Sequence, residues 1–189
     1  PGHTLGVIGL GKIGSLVADA AIRLGMNVLG YDPEITVDAA WSLPSQVRKA
    51  HSVAEILKAA HFVTLHVPAT RDTHEMIGEA ELARMKPGSY LLNASRGTVV
   101  KIPALVAALK SGQLLGAAID VFPEEPESNG DTFVSPLQGL SNVILTPHIG
   151  GSTAEAQASI GREVATSLIK YVNTGTTTGA VNFPQVEMP

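Results

Sequence analysis

Thr4-Leu5-Gly6-Val7-Ile8-Gly9-Leu10-Gly11-Lys12-Ile13-Gly14 is the stretch on which the reading of this chain turns. Its first five residues are an apolar run of strand length, and its last six have the spacing G-x-G-x-x-G. The spacing alone is weak evidence, because 19 glycines in 189 residues produce it by chance. The neighbours make it specific. Ile13, Leu16, Val17, Ala20 and Leu24 recur at helical spacing, Gly25 stands where a C-terminal cap belongs, and Asn27 to Tyr31 reads as a second strand that delivers Asp32. A strand, a tight turn and a helix start aim backbone N–H groups and a helix N-terminus at a pyrophosphate. Gly9, Gly11, Lys12, Ile13 and Gly14 are therefore candidate dinucleotide-binding residues for a nicotinamide or flavin cofactor. Asp32, about 20 residues further on, is placed to accept both ribose hydroxyls of the adenosine half. Its charge opposes a 2′-phosphate, which predicts NAD rather than NADP, and the residues that follow are Pro33 and Glu34 rather than Arg. The competing structural role for Asp32 is to cap a turn before Pro33.

Bulk properties narrow the class. The hydrophobic fraction is 44% and the charged fraction 16%, as for elements buried in a parallel sheet that is covered on both faces. A net charge of -4 leaves no electrostatic footprint for nucleic acid or an anionic membrane, and no apolar stretch is long enough to span a bilayer. The absence of cysteine excludes disulfide and thiolate chemistry and fits a reducing compartment, so a cytoplasmic location is expected. Pro1 is not an initiator Met and the first strand begins almost at once, as in a piece of a longer protein.

The βα rhythm continues along the chain. A short strand is predicted near Gln46 to Lys49, and a helix opens at Ser52-Val53-Ala54-Glu55, which has capping-box spacing. Strands follow at Phe62 to Val67, stopped by Pro68, at Ser89 to Asn93, at Leu115 to Val121 and at Val143 to Thr146. Helices are expected over Glu79 to Met85 and Ile102 to Lys110. This alternation predicts an α/β fold, a Rossmann-type doubly wound parallel sheet with helices on both faces. Pro123 to Gly139 reads as a loop that packs down through Val134, Pro136 and Leu137. The expected organisation is a cofactor-binding domain over residues 1–151, a long helix over residues 152–173 capped by Ser152 or Thr153, and a linker or exit segment over residues 174–189.

Ligands of doubly wound sheets sit at the carboxyl ends of the strands, so residues just past each strand are candidates for chemistry. Arg96 follows one strand, Glu125 another, and His148 a third. Oxidation of a hydroxy acid needs a cation for the carboxylate, a base for the hydroxyl proton and an acid that orients the base. Arg96, His148 and Glu125 supply those types, although each alone also reads as a surface charge, a cap residue or a loop carboxylate. His66 lies near the cofactor edge but reads mainly as buried structure. His3, His51, His61 and His74 have no metal-ligand spacing, so no metal site is expected.

Three segments around these residues carry a resemblance: Asn93-Ala94-Ser95-Arg96-Gly97-Thr98-Val99-Val100, Ala118-Ile119-Asp120-Val121-Phe122-Pro123-Glu124-Glu125-Pro126 and Leu145-Thr146-Pro147-His148-Ile149-Gly150-Gly151-Ser152-Thr153. Together they resemble the D-2-hydroxyacid dehydrogenase family, over essentially the whole chain. The resemblance implies that His148 is the general base, that Glu125 hydrogen-bonds it and stabilises its imidazolium, and that Arg96 binds the substrate carboxylate. It further implies Val67 and Pro68 on the adenine side, and Ala94, Ser95, Arg96, Asp120, His148, Gly150 and Gly151 near the nicotinamide. It implies as substrate 3-phosphoglycerate or another small 2-hydroxy acid such as glycerate, glyoxylate or lactate. Ala180-Val181-Asn182-Phe183-Pro184 resembles the lead-in to a regulatory domain carried by members that act on 3-phosphoglycerate at the entry to serine synthesis. The resemblance implies a substrate domain N-terminal to this chain, a regulatory domain C-terminal to it, and pairing of copies into a homo-oligomer. An isolated chain of this kind is expected to bind NAD and to turn over weakly or not at all. The alternative of a different class is a non-catalytic NAD-sensing module like the transcriptional corepressors that retain this fold. Lys101 departs from the family pattern, which has Asp there, and puts a positive charge at a helix start where the dipole disfavours it.

Overall fold

The computed structural model describes residues 2–128, 130–180, 182–184, 186 and 188. Val181 of the Ala180 to Pro184 motif lies outside them. The described residues form two compact units, Pro1–Pro147 and His148–Pro189.

In the first unit the elements run β1 (Thr4–Ile8), α1 (Lys12–Arg23), β2 (Asn27–Tyr31), α2 (Val37–Trp41), β3 (Arg48–Lys49), α3 (Val53–Ala59), β4 (Phe62–Leu65), α4 (Glu79–Arg84), β5 (Ser89–Asn93), a 3-10 turn (Gly97–Val99), α5 (Ile102–Lys110), β6 (Leu114–Ile119) and β7 (Val143–Leu145). The strands form one sheet in the order β3-β2-β1-β4-β5-β6-β7, parallel at every pairing. This is the Rossmann-type doubly wound sheet. The winding reverses between β1 and β4, so the glycine turn after β1 lies at the topological switch point, where such sheets bind ligands.

Local chemistry explains most element ends. The Ser52 hydroxyl accepts the Glu55 N–H at 3.1 Å and opens α3, while the Glu55 carboxylate reaches back to the His51 N–H at 2.7 Å. Strand β4 stops at Leu65 rather than Val67 because its partner β1 ends at Ile8. The His66 N–H to Ile8 carbonyl bond, 2.8 Å, is the last one β1 can offer. Likewise β6 covers Leu114 to Ile119 instead of running on to Val121. Helix α2 was not foreshadowed by hydrophobic period; the Thr36 hydroxyl caps it by accepting the Ala39 N–H at 3.2 Å.

Two apolar clusters flank the sheet. On one side Ile56, Leu57, Leu82, Leu91 and Leu105 are buried among α3, α4, α5 and the strands. Full burial of each such side chain contributes about 1.5–3 kcal/mol relative to leaving it exposed. On the other side α1 packs over β1 and β2 through Gly14, Ala18 and Ala21. The apolar residues whose spacing marks the helix behave differently: Ile13, Leu16 and Leu24 are exposed. Small residues face the strands because they let the helix axis approach closely, which leaves the large ones outside. Within this unit Tyr90, Leu115 and Ile144 are exposed on β5, β6 and β7, while α1 packs mainly on β1 and β2.

The Pro123 to Gly139 loop is anchored by Leu137, which is fully buried, and by Phe133, whose ring meets Phe122 edge-on at 4.6 Å. Val134 and Pro136, expected to help, are exposed. Lys101 is the N-cap of α5, and its unfavourable charge is neutralised locally. Its Nζ lies 2.9 Å from Glu79 Oε1. That hydrogen bond holds the Glu79 carboxyl below its ordinary value and the Lys101 ammonium above its own.

The second unit contains α6 (Ala154–Thr174), capped by Thr153, whose hydroxyl accepts the Ala156 N–H at 3.1 Å, and ended by Gly175 at a φ of 75°. Beyond it the composition of a free linker is misleading. The Thr177 N–H donates to the Val186 carbonyl at 2.9 Å, and the Thr177 hydroxyl donates to the Pro184 carbonyl at 2.6 Å.

Candidate functional site

The glycine turn is built by close approach. Gly9 has a φ of 91°, in the left-handed region, and a Cβ there would fall 2.2 Å from the His66 carbonyl oxygen. A Cβ on Gly14 would fall 2.0 Å from the Gly9 carbonyl oxygen, so the first turn of α1 rests directly on the loop before it. Gly11 differs. A Cβ there would meet nothing within 4 Å, and Gly11 caps α1 without any side-chain hydrogen bond. The backbone at the helix start is thus open at the one glycine where neither packing nor φ demands glycine, as a cradle for a bound diphosphate would be.

Asp32 stands beside this turn, and its carboxylate is held by two backbone N–H groups. Its Oδ2 accepts the Leu10 N–H at 2.8 Å, and its Oδ1 accepts the Glu34 N–H at 2.9 Å. The carboxylate therefore caps the turn before Glu34 and ties the second strand to the glycine loop. It remains half-exposed, and a carboxylate has about four lone-pair positions, so two further hydroxyl donors are compatible with these bonds. The Gly9 N–H donates to the Tyr31 carbonyl at 2.8 Å, which closes the same joint.

Along the carboxyl edge, Val67 touches the glycine turn: its Cγ1 lies 3.1 Å from where a Gly9 Cβ would be. Pro68 is exposed beside it. His66 is half-buried, with Nε2 at 2.9 Å from the Thr64 hydroxyl. Burial pushes its pKa below the ordinary 6.5. An imidazole held neutral in the fold but free to protonate when unfolded makes stability fall with acid. The loss starts as pH drops through 6.5 and is complete once pH has fallen through the lowered folded value. His66→Gln is expected to flatten this part of the stability profile, measured by urea unfolding from pH 7.5 to 5; an unchanged acid slope would rule the contribution out.

At the end of β5, Ala94 and Arg96 are exposed and Ser95 is buried. The Arg96 guanidinium donates through Nη1 to the Ser95 carbonyl at 2.7 Å. Gly97, which follows, has no room for a side chain, because its Cβ would fall 2.0 Å from the carbonyl carbon of Phe122. The Arg96 loop is therefore pressed against the loop that carries Glu125. In that second loop Glu125 is exposed and its Oε1 accepts the Phe122 N–H at 2.9 Å. Asp120, at the end of β6, accepts the Thr146 hydroxyl at 2.5 Å. So the structure brings Arg96, Glu125 and Asp120 to one edge of the first unit, together with Asp32 and the glycine turn.

His148, Gly150 and Gly151 belong to the second unit. His148 is exposed and has a φ of 48°, an uncommon left-handed conformation for a residue with a side chain. Such outliers persist where the surrounding structure imposes them, and they concentrate at functional sites. Gly150 and Gly151 are exposed with open space around them, and the Gln157 side-chain amide donates to the Gly151 carbonyl. Three residues not singled out by the sequence also shape the first unit's edge: Asn93, Gly97 and Thr146. The signal for Asn93 was available, since Asn followed two residues later by Ser at a strand end is an Asx-turn pattern.

The family profile of the NAD-binding domain of D-isomer specific 2-hydroxyacid dehydrogenases matches residues 1–150. The chain belongs to this family. NAD is accordingly the cofactor of this dehydrogenase domain. Among relatives, D-3-phosphoglycerate dehydrogenase of Escherichia coli strain K12 is 52% identical over all of this chain and 45% of its own length. D-3-phosphoglycerate dehydrogenase 2 of Saccharomyces cerevisiae is 49% identical over 99% of this chain and 40% of its own length. The chain thus spans less than half the length of those relatives. A crystal structure of a D-isomer specific 2-hydroxyacid dehydrogenase from Lactobacillus delbrueckii ssp. bulgaricus, in its NAD-complexed form, aligns with a TM-score of 0.79 at 30% identity, covering 95% of this chain and 56% of that one.

Among the described residues no helix is long and apolar enough to cross a membrane, and no group of His, Asp and Glu side chains could hold a metal ion.

Proposed function

We propose that this chain is the cofactor-binding and catalytic-residue-bearing part of an NAD-dependent dehydrogenase that oxidises D-3-phosphoglycerate to 3-phosphohydroxypyruvate, the first step of serine synthesis. The observation that carries the proposal is identity near 50% to D-3-phosphoglycerate dehydrogenases across the whole chain, including its last residues. The geometry supports it through an open helix start at Gly11 beside a carboxylate at Asp32, with Arg96 and Glu125 on the same edge.

Bound NAD supplies an acceptor for the hydride that leaves substrate C2. The His148 imidazole takes the C2 hydroxyl proton, so that the departing hydride and proton leave a ketone. Arg96, already oriented by the Ser95 carbonyl, binds the substrate carboxylate through its remaining guanidinium N–H groups. Glu125 supplies the acidic member of the set, held in place by the Phe122 N–H. Gly11 and the start of α1 receive the diphosphate, Asp32 the ribose hydroxyls, and Asp120, oriented by Thr146, the nicotinamide end. The proposed organisation gives residues 1–151 to the cofactor and residues 152–173 to a helix that returns to a substrate domain. The apolar stripe of Ile160, Val164 and Leu168, exposed within its own unit, is the surface offered to that domain.

Calorimetric titration of the chain with NADH, and with NADPH as comparator, tests the cofactor half. NADH is expected to bind and NADPH poorly. Asp32→Ala is expected to weaken NADH by about 10- to 100-fold, the worth of one or two hydrogen bonds to a charged group. Equal binding of both cofactors would overturn the assignment of Asp32. With D-3-phosphoglycerate and NAD, the isolated chain is expected to form NADH slowly or not at all; turnover at ordinary enzyme concentrations would show that no further substrate domain is needed.

A further inference from the structure

We propose that Asn93 is the positioning residue for Arg96, acting through the Ser95 peptide. Asn93 ends β5 and is only 2% exposed, yet it makes no hydrogen bond within its strand through its side chain. Among the described residues, every side-chain bond it makes goes to the next three residues. Oδ1 accepts both the Ser95 N–H at 3.1 Å and the Ser95 hydroxyl at 2.9 Å, and Nδ2 donates to the Arg96 carbonyl at 3.0 Å. The two peptide groups on either side of the Ser95–Arg96 peptide, Ala94–Ser95 and Arg96–Gly97, are thereby oriented by one buried carboxamide. The Ser95 carbonyl lies between the two atoms so held, and it is the acceptor that receives Arg96 Nη1 at 2.7 Å. The guanidinium is therefore aimed by a backbone oxygen whose own direction is set by Asn93. The main chain of Asn93 adds a second tie, since its carbonyl accepts the Asp120 N–H at 3.0 Å and fixes the Arg96 loop relative to the β6 end.

The arrangement requires an amide. A carboxylate at this position would keep the two acceptor bonds to Ser95 but would set an oxygen against the Arg96 carbonyl, where a donor is needed. A buried side chain with three satisfied bonds and, among the described residues, no partner outside this turn is a device for holding the turn. The local geometry stands by itself; its consequence for substrate binding rests on the function proposed for Arg96.

The test uses the chain labelled with 15N-arginine and the variants Asn93→Asp and Ser95→Ala. In the wild-type chain the Arg96 Nη groups are expected to give separate NMR signals, because donation to the Ser95 carbonyl hinders rotation. Asn93→Asp is expected to merge them, while the amide spectrum and NADH titration show the fold retained. Ser95→Ala, which removes one of the three bonds and keeps the fold, is expected to broaden them. Separate Arg96 signals in both variants would overturn the proposal. A second arm uses a dehydrogenase in which the chain is joined to a substrate-binding half. There Asn93→Asp is expected to raise KM for 3-phosphohydroxypyruvate about tenfold with KM for NADH unchanged, one hydrogen bond's worth at a charged group. It is expected to add nothing to Arg96→Ala, whereas additive losses would mean a general structural role and refute positioning through Arg96. If Arg96→Ala itself leaves KM for the keto acid unchanged, the role proposed for Arg96 fails, and the NMR result decides the positioning separately.

Discussion

Gly11→Ala is expected to leave the melting temperature of the chain unchanged and to lower its NADH affinity by at least about 10-fold, whereas Gly14→Ala is expected to lose both stability and binding. The two substitutions add the same methyl group three residues apart. At Gly14 the new Cβ would sit 2.0 Å from the Gly9 carbonyl oxygen, a backbone atom that cannot swing aside. Overpacking of this kind costs about 1–3 kcal/mol, and here it lifts α1 off the loop that shapes the site. At Gly11 a Cβ meets nothing within 4 Å of the protein, so the fold has no reason to object. The methyl group is excluded there only if a ligand needs the space. Differential scanning calorimetry and NADH titration of both variants separate the cases. Wild-type NADH affinity in Gly11→Ala would place the diphosphate elsewhere and remove the main physical support for the glycine turn as the cofactor cradle.

His148→Asn, in a dehydrogenase that joins this chain to a substrate-binding half, is expected to cut kcat by about 10²- to 10⁴-fold, the usual contribution of a positioned general base. Asn is the appropriate replacement because the backbone at His148 has a φ of 48°, and Asn is among the few residues that accept that conformation without strain. A substitution such as His148→Leu would confound loss of the base with a backbone rearrangement. NADH affinity of the His148→Asn chain is expected to stay within about twofold of wild type, since removing a proton acceptor touches the chemical step and not cofactor binding. Unchanged kcat would exclude His148 as the base. A parallel fall in NADH affinity would instead make it a cofactor contact.

Both expectations depend on features of different legibility. The strand, glycine turn, helix and second strand from Thr4 to Tyr31 are written in local pattern, and so are the short strands at Ser89–Asn93 and Val143–Leu145. Even there, the pattern does not say which face is buried. The apolar residues that announce α1, Ile13 and Leu16, point outward, and Gly14, Ala18 and Ala21 pack on the strands. Periodicity reports that a helix exists more reliably than it reports which stripe meets the sheet, because a small residue that permits close approach scores as weakly hydrophobic. Lys101 shows the opposite limit. Read along the chain it is an unfavourable charge at a helix start, but Glu79, which is 22 positions away, neutralises it in space.

The sequence by itself determined that this is a doubly wound dinucleotide-binding domain of the 2-hydroxyacid dehydrogenases, because strand length, turn glycines, the acidic residue after β2 and the motifs around Arg96, Glu125 and His148 are all properties of short contiguous segments. Only the tertiary structure decided the order of the seven strands, and that order puts the glycine turn at the switch point. The same holds for the bond from Asp32 to the Leu10 N–H, the contact of Gly97 with Phe122 and the left-handed backbone of His148. Most of these join residues far apart in the chain or depend on what surrounds them, so their energy comes from which segments pack together, and no local propensity encodes that.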